Sequence, residues 1–311
     1  MNQEPLLSFQ KVERWFRKKP ALVDVTFDIQ PGTVTALLGP NGAGKSTTLQ
    51  IAMNLIAPSK GSARTLGVDS RKLAPEQLQQ IGYVAEGMAM PEWMTVSQFI
   101  EWCRPLYPTW DRKFEAKMWK QFELPKRQRI RDLSRGERMK AALLSSLAYR
   151  PKLILLDEPF SGLDPIMRDE FIDGLLELAD GEDWSAVISS HDIAEVSRLC
   201  DRMVTMHLGK VWLDEDIDSL LARHRRIEVL LPEGTEKMPK LPQQWLTPEL
   251  TGRVLRFIDT TFDESTFKEE LHRFLPGVET PEITPMNLRE VFVTLIRSRK
   301  RKIETSPEVI A

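Results

Sequence analysis

The chain has 311 residues, 41% of them hydrophobic and 28% charged, a composition that excludes a disordered tail, a collagen and a coiled coil. Its 43 basic and 45 acidic side chains leave a net charge of −2, so bulk electrostatics argue for neither nucleic acid nor an anionic bilayer. No apolar run reaches the roughly 18–20 residues that cross a membrane, and Met1–Glu4 lead into short mixed segments rather than a signal peptide. Two cysteines, Cys103 and Cys200, cannot build a disulfide framework, and a reducing cytoplasm is the simplest compartment. At about 150 residues per domain, the length predicts two domains or one large domain with an appendage.

The first elements read as strands. Pro5–Phe9 and Ala21–Ile29 are β-rich and separated by a charged turn at Arg17–Pro20. Val23, Val25, Phe27 and Ile29 alternate with period two, as in a half-buried strand. Pro31-Gly32 punctuates a turn. Thr33–Leu38 is a compact apolar strand, a glycine-rich loop follows, and Ser46–Ile56 reads as a helix.

From Met88 to Arg150 helical spacing takes over, with four of the eight tryptophans: Trp93, Trp102, Trp110 and Trp119. Thr95-x-x-Gln98 fits a capping box that starts a helix. Lys152–Leu156 reads as a buried strand, Asp169–Leu178 as a helix, Ala186–Ser189 as a strand and Ile193–Cys200 as a helix. Strands alternating with helices predict an α/β core with a mostly parallel sheet, an N-terminal antiparallel β part and an inserted helical subdomain at about 88–150. The core pattern fades around Asp214–Leu221. Beyond it, strands at Ile227–Leu231 and Val254–Ile258 and helices at Asp263–Phe274 and Asn287–Arg297 predict a small α+β domain. Prolines 232, 239, 242 and 248 mark loops. The expected domains are 1–220 and 221–311.

Gly39-Pro40-Asn41-Gly42-Ala43-Gly44-Lys45-Ser46-Thr47 fits G-x-x-x-x-G-K-[ST], a phosphate loop. Glycines let backbone amides approach phosphate oxygens, and the loop opens a helix whose dipole favours anions. Lys45 can reach the β- and γ-phosphates, and Ser46 can place its hydroxyl on Mg²⁺. The strand before the loop and the helix after it are the required context.

Leu153-Ile154-Leu155-Leu156-Asp157-Glu158 is an aliphatic strand ending in two acids, at the edge where open α/β sheets bind ligands. Asp157 suits the Mg²⁺ shell, and Glu158 suits a base that polarises the attacking water.

With these motifs in place, the chain resembles the ATP-binding subunit of an ABC transporter over about residues 5–215, a P-loop NTPase fold. Leu133-Ser134-Arg135-Gly136-Glu137 resembles the family signature, usually Leu-Ser-Gly-Gly-Gln. Ser161-Gly162-Leu163-Asp164 matches the D-loop, and His191 after Ser189-Ser190 matches the switch histidine. The resemblance implies a cytoplasmic, membrane-peripheral subunit that binds ATP and Mg²⁺ and hydrolyses ATP. It implies a head-to-tail pair, homo- or heterodimeric, in which Lys45, Ser46, Asp157, Glu158 and His191 of one copy face Ser134 and Gly136 of the other. It also implies a separate transmembrane permease, with no nucleic-acid partner. Phe16, with Trp15 as neighbour, aligns with the aromatic that stacks on adenine.

This sequence departs from the family at Glu86, where a glutamine is usual, and at Arg135 and Glu137 of the signature. A carboxylate at 86 can bind Mg²⁺ and makes this residue a candidate metal-dependent coupling residue. Pro91, Glu92 and Trp93 are the candidates for contact with the permease. Leu106–Asp111 and Asn287–Leu295 resemble the drug-resistance and lantibiotic-immunity type exporters, which favours export. A basic cluster at Arg297–Lys302 could touch anionic headgroups, although a solvated helix end is the simpler reading. The alternative to a transporter is a non-transport ABC-type ATPase, regulatory or ribosome- or nucleic-acid-associated.

Overall fold

Strands β1 (Leu7–Phe16) and β2 (Lys19–Ile29) form an antiparallel hairpin that turns at Arg17-Lys18. The computed structural model describes residues 4–179, 184–235, 237–278 and 280–304, without the side chains at 170, 174, 177–179 and 299–304. Both strands run further towards the turn than their composition predicts, and Lys19 and Pro20 already belong to β2. The expected alternation also changes phase. Asp24 has φ 53°, and the register slips between Val12↔Val25 and Arg14↔Leu22. This bulge turns Leu22, rather than Val23, into the core. Beyond it the alternation holds, and Phe9 stacks on Phe27 with ring centroids 5.0 Å apart.

Strand β3 (Val34–Leu38) is buried along its whole length. Helix α1 (Lys45–Ala52) follows and stops before Ile56, because Asn54 enters the left-handed region at φ 57°. Strands β4 (Lys60–Thr65) and β5 (Val68–Asp69) complete a four-stranded sheet of order β2-β1-β4-β5. The short helix α2 (Pro75–Leu78) leads to β6 (Ile81–Ala85).

The helical subdomain contains α3 (Val96–Cys103), α4 (Arg112–Phe122) and α5 (Arg135–Leu147). The Thr95 capping box is present in both directions, Gln98 N to Thr95 Oγ1 at 3.2 Å and Thr95 N to Gln98 Oε1 at 2.9 Å. The tryptophans divide. Trp110 and Trp119 are half-buried and both donate to Glu115, at 2.8 and 3.1 Å. Trp93 and Trp102 are 70% and 55% exposed.

Glu115 also takes two bonds from Arg104, at 2.9 and 2.6 Å. Burial works against its charge, but the bonds from Arg104, Trp110 and Trp119 outweigh that and hold its pKa below the ordinary carboxylate value. A lowered folded pKa stabilises the fold above the unfolded-state value and loses that contribution as pH falls. Glu115→Ala therefore costs about 2–4 kcal/mol at neutral pH, somewhat less than a fully buried pair because Arg104 reaches water. The gap to the wild type narrows as pH drops below about 4. Denaturant unfolding of both proteins across pH checks this; a gap independent of pH counts against it.

Strand β7 (Leu153–Asp157), helix α6 (Pro165–Ala179), strand β8 (Ser185–Ser190), helix α7 (Ile193–Val196) and strands β9 (Arg202–His207) and β10 (Lys210–Asp216) complete the core. Helix α7 is one turn long, not the eight residues expected. The Leu199 amide closes on Val196 O at 2.9 Å, which tightens the chain out of the α-helix. The six-stranded sheet has order β10-β9-β3-β8-β7-β6, and its four pairings from β9 through to the edge strand β6 are parallel. Strands β3, β7 and β8 are buried on both faces, as helix-covered parallel strands are.

The chain divides at Asp214/Glu215 into two compact units, slightly before the boundary expected at 220. The second unit begins with α8 (Ile217–Ala222), followed by β11 (Arg225–Leu230), β12 (Trp245–Thr251), β13 (Val254–Asp259), α9 (Phe267–Phe274), β14 (Glu282–Pro285) and α10 (Leu288–Glu304). Its sheet has order β12-β13-β11-β14. Trp245 stacks on Phe257 at 4.2 Å and packs beside Phe267 in the core. Pro248 lies within β12, not in a loop. A register shift between Leu246↔Ile258 and Glu249↔Arg256 leaves Thr247 and Pro248 out of the ladder, the kind of position where a strand tolerates proline. Most side chains of the Arg297–Lys302 cluster lie outside the described residues.

Candidate functional site

The sheet register assembles the site. Leu38 pairs with Ser190, Ser189 with Asp157, and Asp157 with Ala85. The loop after β3, the acids ending β7, His191 after β8 and Glu86 after β6 therefore emerge side by side at one edge. This is the carboxyl edge of parallel strands, where α/β sheets bind ligands.

The loop from Gly39 to Gly44 is shaped by close approach. A Cβ on Gly39 would press on the Met206 carbonyl oxygen. On Gly44, at φ 110°, it would sit 2.6 Å from Leu22 Cδ2 and 2.9 Å from Ala21 O. Ala43 N donates to Pro40 O at 3.0 Å and closes the turn. Pro40, Asn41 and Gly42 face solvent, while Ala43, Gly44 and Lys45 are buried.

Lys45 Nζ donates to Gly39 O at 2.7 Å and meets Glu158 Oε1 at 3.0 Å. Glu158 Oε2 lies 2.9 Å from His191 Nδ1. Lysine, glutamate and histidine thus form one chain of contacts, with Lys45 and Glu158 largely buried and His191 half-exposed. Glu158 adopts φ 50°, a conformation that costs a non-glycine residue of order 1–2 kcal/mol and occurs preferentially at functional sites.

Ser46 Oγ donates to Asp157 Oδ1 at 3.0 Å. Both groups are oxygen donors, the kind that suits a hard cation such as Mg²⁺. Thr47 occupies the first turn of α1 and is half-buried.

Ser189 is the residue that sequence reasoning missed. Its hydroxyl donates to Asp157 Oδ1 at 2.7 Å and accepts from Glu158 N at 2.9 Å, so it orients both acids at once. The available signal was a hydroxyl residue at the end of a strand beside the acid strand. Ser190 bonds Glu195, which is 2% exposed and pairs with Arg168 at 3.1 Å. That network braces the turn carrying His191.

The other expected residues stand apart from this cluster. Glu86 is exposed. Its backbone N–H donates to Asp157 O at 3.0 Å, but its carboxylate accepts from Ser161 Oγ at 2.8 Å and not from the Ser46 side of the site. Ser134 caps α5: its Oγ accepts from Glu137 N at 3.2 Å, and Glu137 Oε2 accepts from Ser134 N at 2.8 Å. The departure at Glu137 is thus also a capping box. Gly136 is buried against Met167 and Leu163, and a Cβ there would meet the flexible end of the Met167 side chain. The Arg135 side chain lies over Gly162, whose φ of 73° suits glycine. Asp164 begins α6, accepting from Met167 N at 3.0 Å with Pro165 as the first helical residue. Phe16 is 46% exposed at the β1–β2 turn, with the Arg14 guanidinium 4.7 Å from its ring centroid, and Trp15 is 41% exposed beside it.

A second feature of this unit is an apolar groove of about 770 Å³. Trp93, Trp102, Leu55 and Leu106 line it and are each about half exposed or more. Pro91 and Met88 contribute to the same wall. Glu92 is held by Arg138 at 2.8 Å. Among the described residues, no helix is long and apolar enough to cross a membrane.

Comparison with known proteins agrees with this geometry. Residues 22–161 match the family described as ABC transporter. The chain is 27% identical over 302 residues to the ABC transporter ATP-binding protein YtrB of Bacillus subtilis, covering 95% of this chain and 100% of that protein. It is 32% identical over 216 residues to the uncharacterized ABC transporter ATP-binding protein YxlF of the same organism, covering 68% and 71%. A solved ATP-binding subunit of an ABC transporter superposes with a TM-score of 0.62 at 25% identity, covering 70% of this chain and 92% of that one. With the phosphate loop, the paired acids and the histidine gathered at one sheet edge, the chain belongs to the ABC transporter family as an ATP-binding, ATP-hydrolysing subunit.

Proposed function

We propose that this chain hydrolyses Mg-ATP at the edge formed by Lys45, Ser46, Asp157, Glu158 and His191, and that it drives a separate membrane permease in export. The observation that carries the reading is the contact chain Lys45–Glu158–His191, closed within 3.0 Å and set beside the Ser46–Asp157 pair.

Each residue has a task that its position supports. The amides of Gly39 to Thr47 cradle the phosphates at the start of α1. The Lys45 ammonium exchanges Glu158 for phosphate oxygens when nucleotide enters. Ser46 and Asp157 would hold Mg²⁺, whose charge would offset that developing on the phosphate oxygens. Released from Lys45, Glu158 takes up the proton of the attacking water. His191 keeps hold of the other Glu158 oxygen and reaches towards the γ-phosphate. Phe16 stacks on adenine with little base selectivity.

Ser134 and Gly136 lie at the start of α5, away from the phosphate loop's own contacts. They serve a second copy or a related subunit, adding amide and hydroxyl donors to its γ-phosphate. ATP then favours the closed pair and its cleavage releases it.

Glu86 acts as a metal-dependent coupling residue, tied through Ser161 to the D-loop. Glu86→Gln is expected to change the Mg²⁺ dependence of ATP hydrolysis. Rates measured over a range of Mg²⁺ concentrations test this; unchanged rates and an unchanged Mg²⁺ optimum reject the role.

The apolar groove supports a membrane-protein partner on the cytoplasmic face, because exposed patches rimmed by polar residues mark interaction sites. The test is a pull-down from detergent-solubilised membranes, followed by ATPase assays with and without the recovered protein. A permease that co-purifies and stimulates ATP hydrolysis is the expected result. Trp93→Ala should weaken the complex by about 2 kcal/mol or more, as loss of an interface anchor does. Recovery of ribosomes or DNA-bound proteins in place of a permease would favour the non-transport alternative.

A further inference from the structure

The second unit carries a cavity of about 400 Å³ that the nucleotide chemistry does not use. That volume is within the range of small-molecule sites. Its base is apolar, formed by Ile258 of β13, the nearly buried Met286 and Val293 of α10. One wall is the bulge of β12, where Thr247 adopts φ 46° and Pro248 leaves the ladder. Bulges of this kind often adjoin functional sites. The opposite wall is the face of α10 on which Arg289, Val293 and Arg297 recur every four residues.

Charge on the rim is unbalanced. Three guanidiniums, Arg226, Arg289 and Arg297, face two carboxylates, Glu249 and Glu290. Glu290 is already engaged, by Arg226 at 2.9 Å and by the Asn287 amide at 3.1 Å. Glu249 lies in register with Arg256 on the neighbouring strand, whose guanidinium bonds Glu228 at 2.6 Å, so Glu249 is the acid left on the rim against the two arginines. The guanidiniums of Arg289 and Arg297 have no hydrogen bond or ion pair to another of the described residues. Two unpaired guanidiniums beside an apolar base are suited to an anionic head on an apolar body, since the guanidinium fork matches carboxylate and phosphate geometry.

We propose that this cavity binds a small amphiphilic anion, a phosphate or carboxylate group on a short apolar chain, with Arg289 and Arg297 holding the charge. Ile258, Met286 and Val293 accept the apolar part. The source is either a soluble metabolite of that chemistry or an anionic lipid headgroup.

The test is calorimetric titration of the full chain with octyl phosphate below its micelle concentration, with inorganic phosphate and octylammonium as comparisons. Vesicle sedimentation with phosphatidylcholine, with and without phosphatidylglycerol, is run beside it. Each measurement is repeated on Arg289→Ala/Arg297→Ala and on Arg289→Lys/Arg297→Lys. Both pairs lie on an exposed helix face, and a circular dichroism melt confirms that they fold. Phosphate binding at the nucleotide loop is common to all three proteins, so the difference between them isolates this cavity.

The expected result is saturable octyl phosphate binding that the alanine pair weakens at least tenfold and the lysine pair weakens less. Inorganic phosphate shows no component that depends on the two arginines, and octylammonium does not bind. Arginine-dependent capture by phosphatidylglycerol vesicles without binding of free octyl phosphate assigns the same chemistry to a lipid source. Octyl phosphate binding unchanged in the alanine pair overturns the proposal. So does failure of octyl phosphate to saturate together with vesicle capture indifferent to both substitutions.

Discussion

Glu158→Gln is expected to slow ATP hydrolysis by about 10²–10⁴-fold, the span of a lost general base, while ATP still binds. Two features of the site set this expectation. The carboxylate is held from both sides, by Lys45 at 3.0 Å and by His191 at 2.9 Å. Its backbone sits in a strained left-handed turn anchored by Ser189. A glutamine keeps the size and can still accept from His191, so the turn survives. It cannot take up a proton at neutral pH, and it gives Lys45 no opposite charge. Lysine therefore loses a competitor for the phosphates, and ATP affinity is expected to hold or to tighten. Single-turnover hydrolysis and nucleotide titration together read both effects. Wild-type turnover in the variant would remove Glu158 from the reaction.

Lys45→Ala is expected to lose nucleotide affinity first. A hydrogen bond to a charged group contributes about 1.5–3 kcal/mol, so ATP should bind roughly ten- to a hundredfold more weakly. Repulsion adds to this, because Glu158 loses its ammonium partner and keeps its negative charge close to the incoming phosphates. Equilibrium titration with ATP decides the matter: an affinity equal to the wild type would mean that the loop amides alone hold the phosphates. The two variants separate binding from chemistry, although their side chains touch in the same ion pair.

The elements differ in how far the sequence foretold them, and the differences have causes. Strand β3, the loop and α1 were legible because each depends on neighbours within a few residues: a short aliphatic run, glycines that permit close approach, and a helix start. The Thr95 capping box is local in the same sense. In β2 one left-handed residue, Asp24, adds a bulge that period-two counting passes over, and the phase of the strand changes there. Helix α7 is shorter than its apolar spacing, which continues past the point where the backbone tightens. Composition places Pro248 in a loop, because a proline in a strand is tolerated only at an irregularity that composition does not display.

Tryptophan illustrates the same boundary. The four tryptophans of the helical subdomain end in two different environments. Trp110 and Trp119 donate to one buried carboxylate, whereas Trp93 and Trp102 are left on the groove. The choice rests on Glu115 in the first turn of α4 and on Arg104 just past the end of α3, which the segment between the two helices brings together.

By itself, the sequence determined the family, the parallel core, the phosphate loop and the acid strand, because glycine spacing, aliphatic runs and charge placement act over a few residues. Only the tertiary structure decided that Lys45 clasps Glu158, that Ser189 steers both acids, that Glu86 leans on Ser161 and that two arginines stand unpaired on α10. Those contacts join residues far apart in the chain, and pairing across a sheet and packing between helices fix them after the local signals have been satisfied.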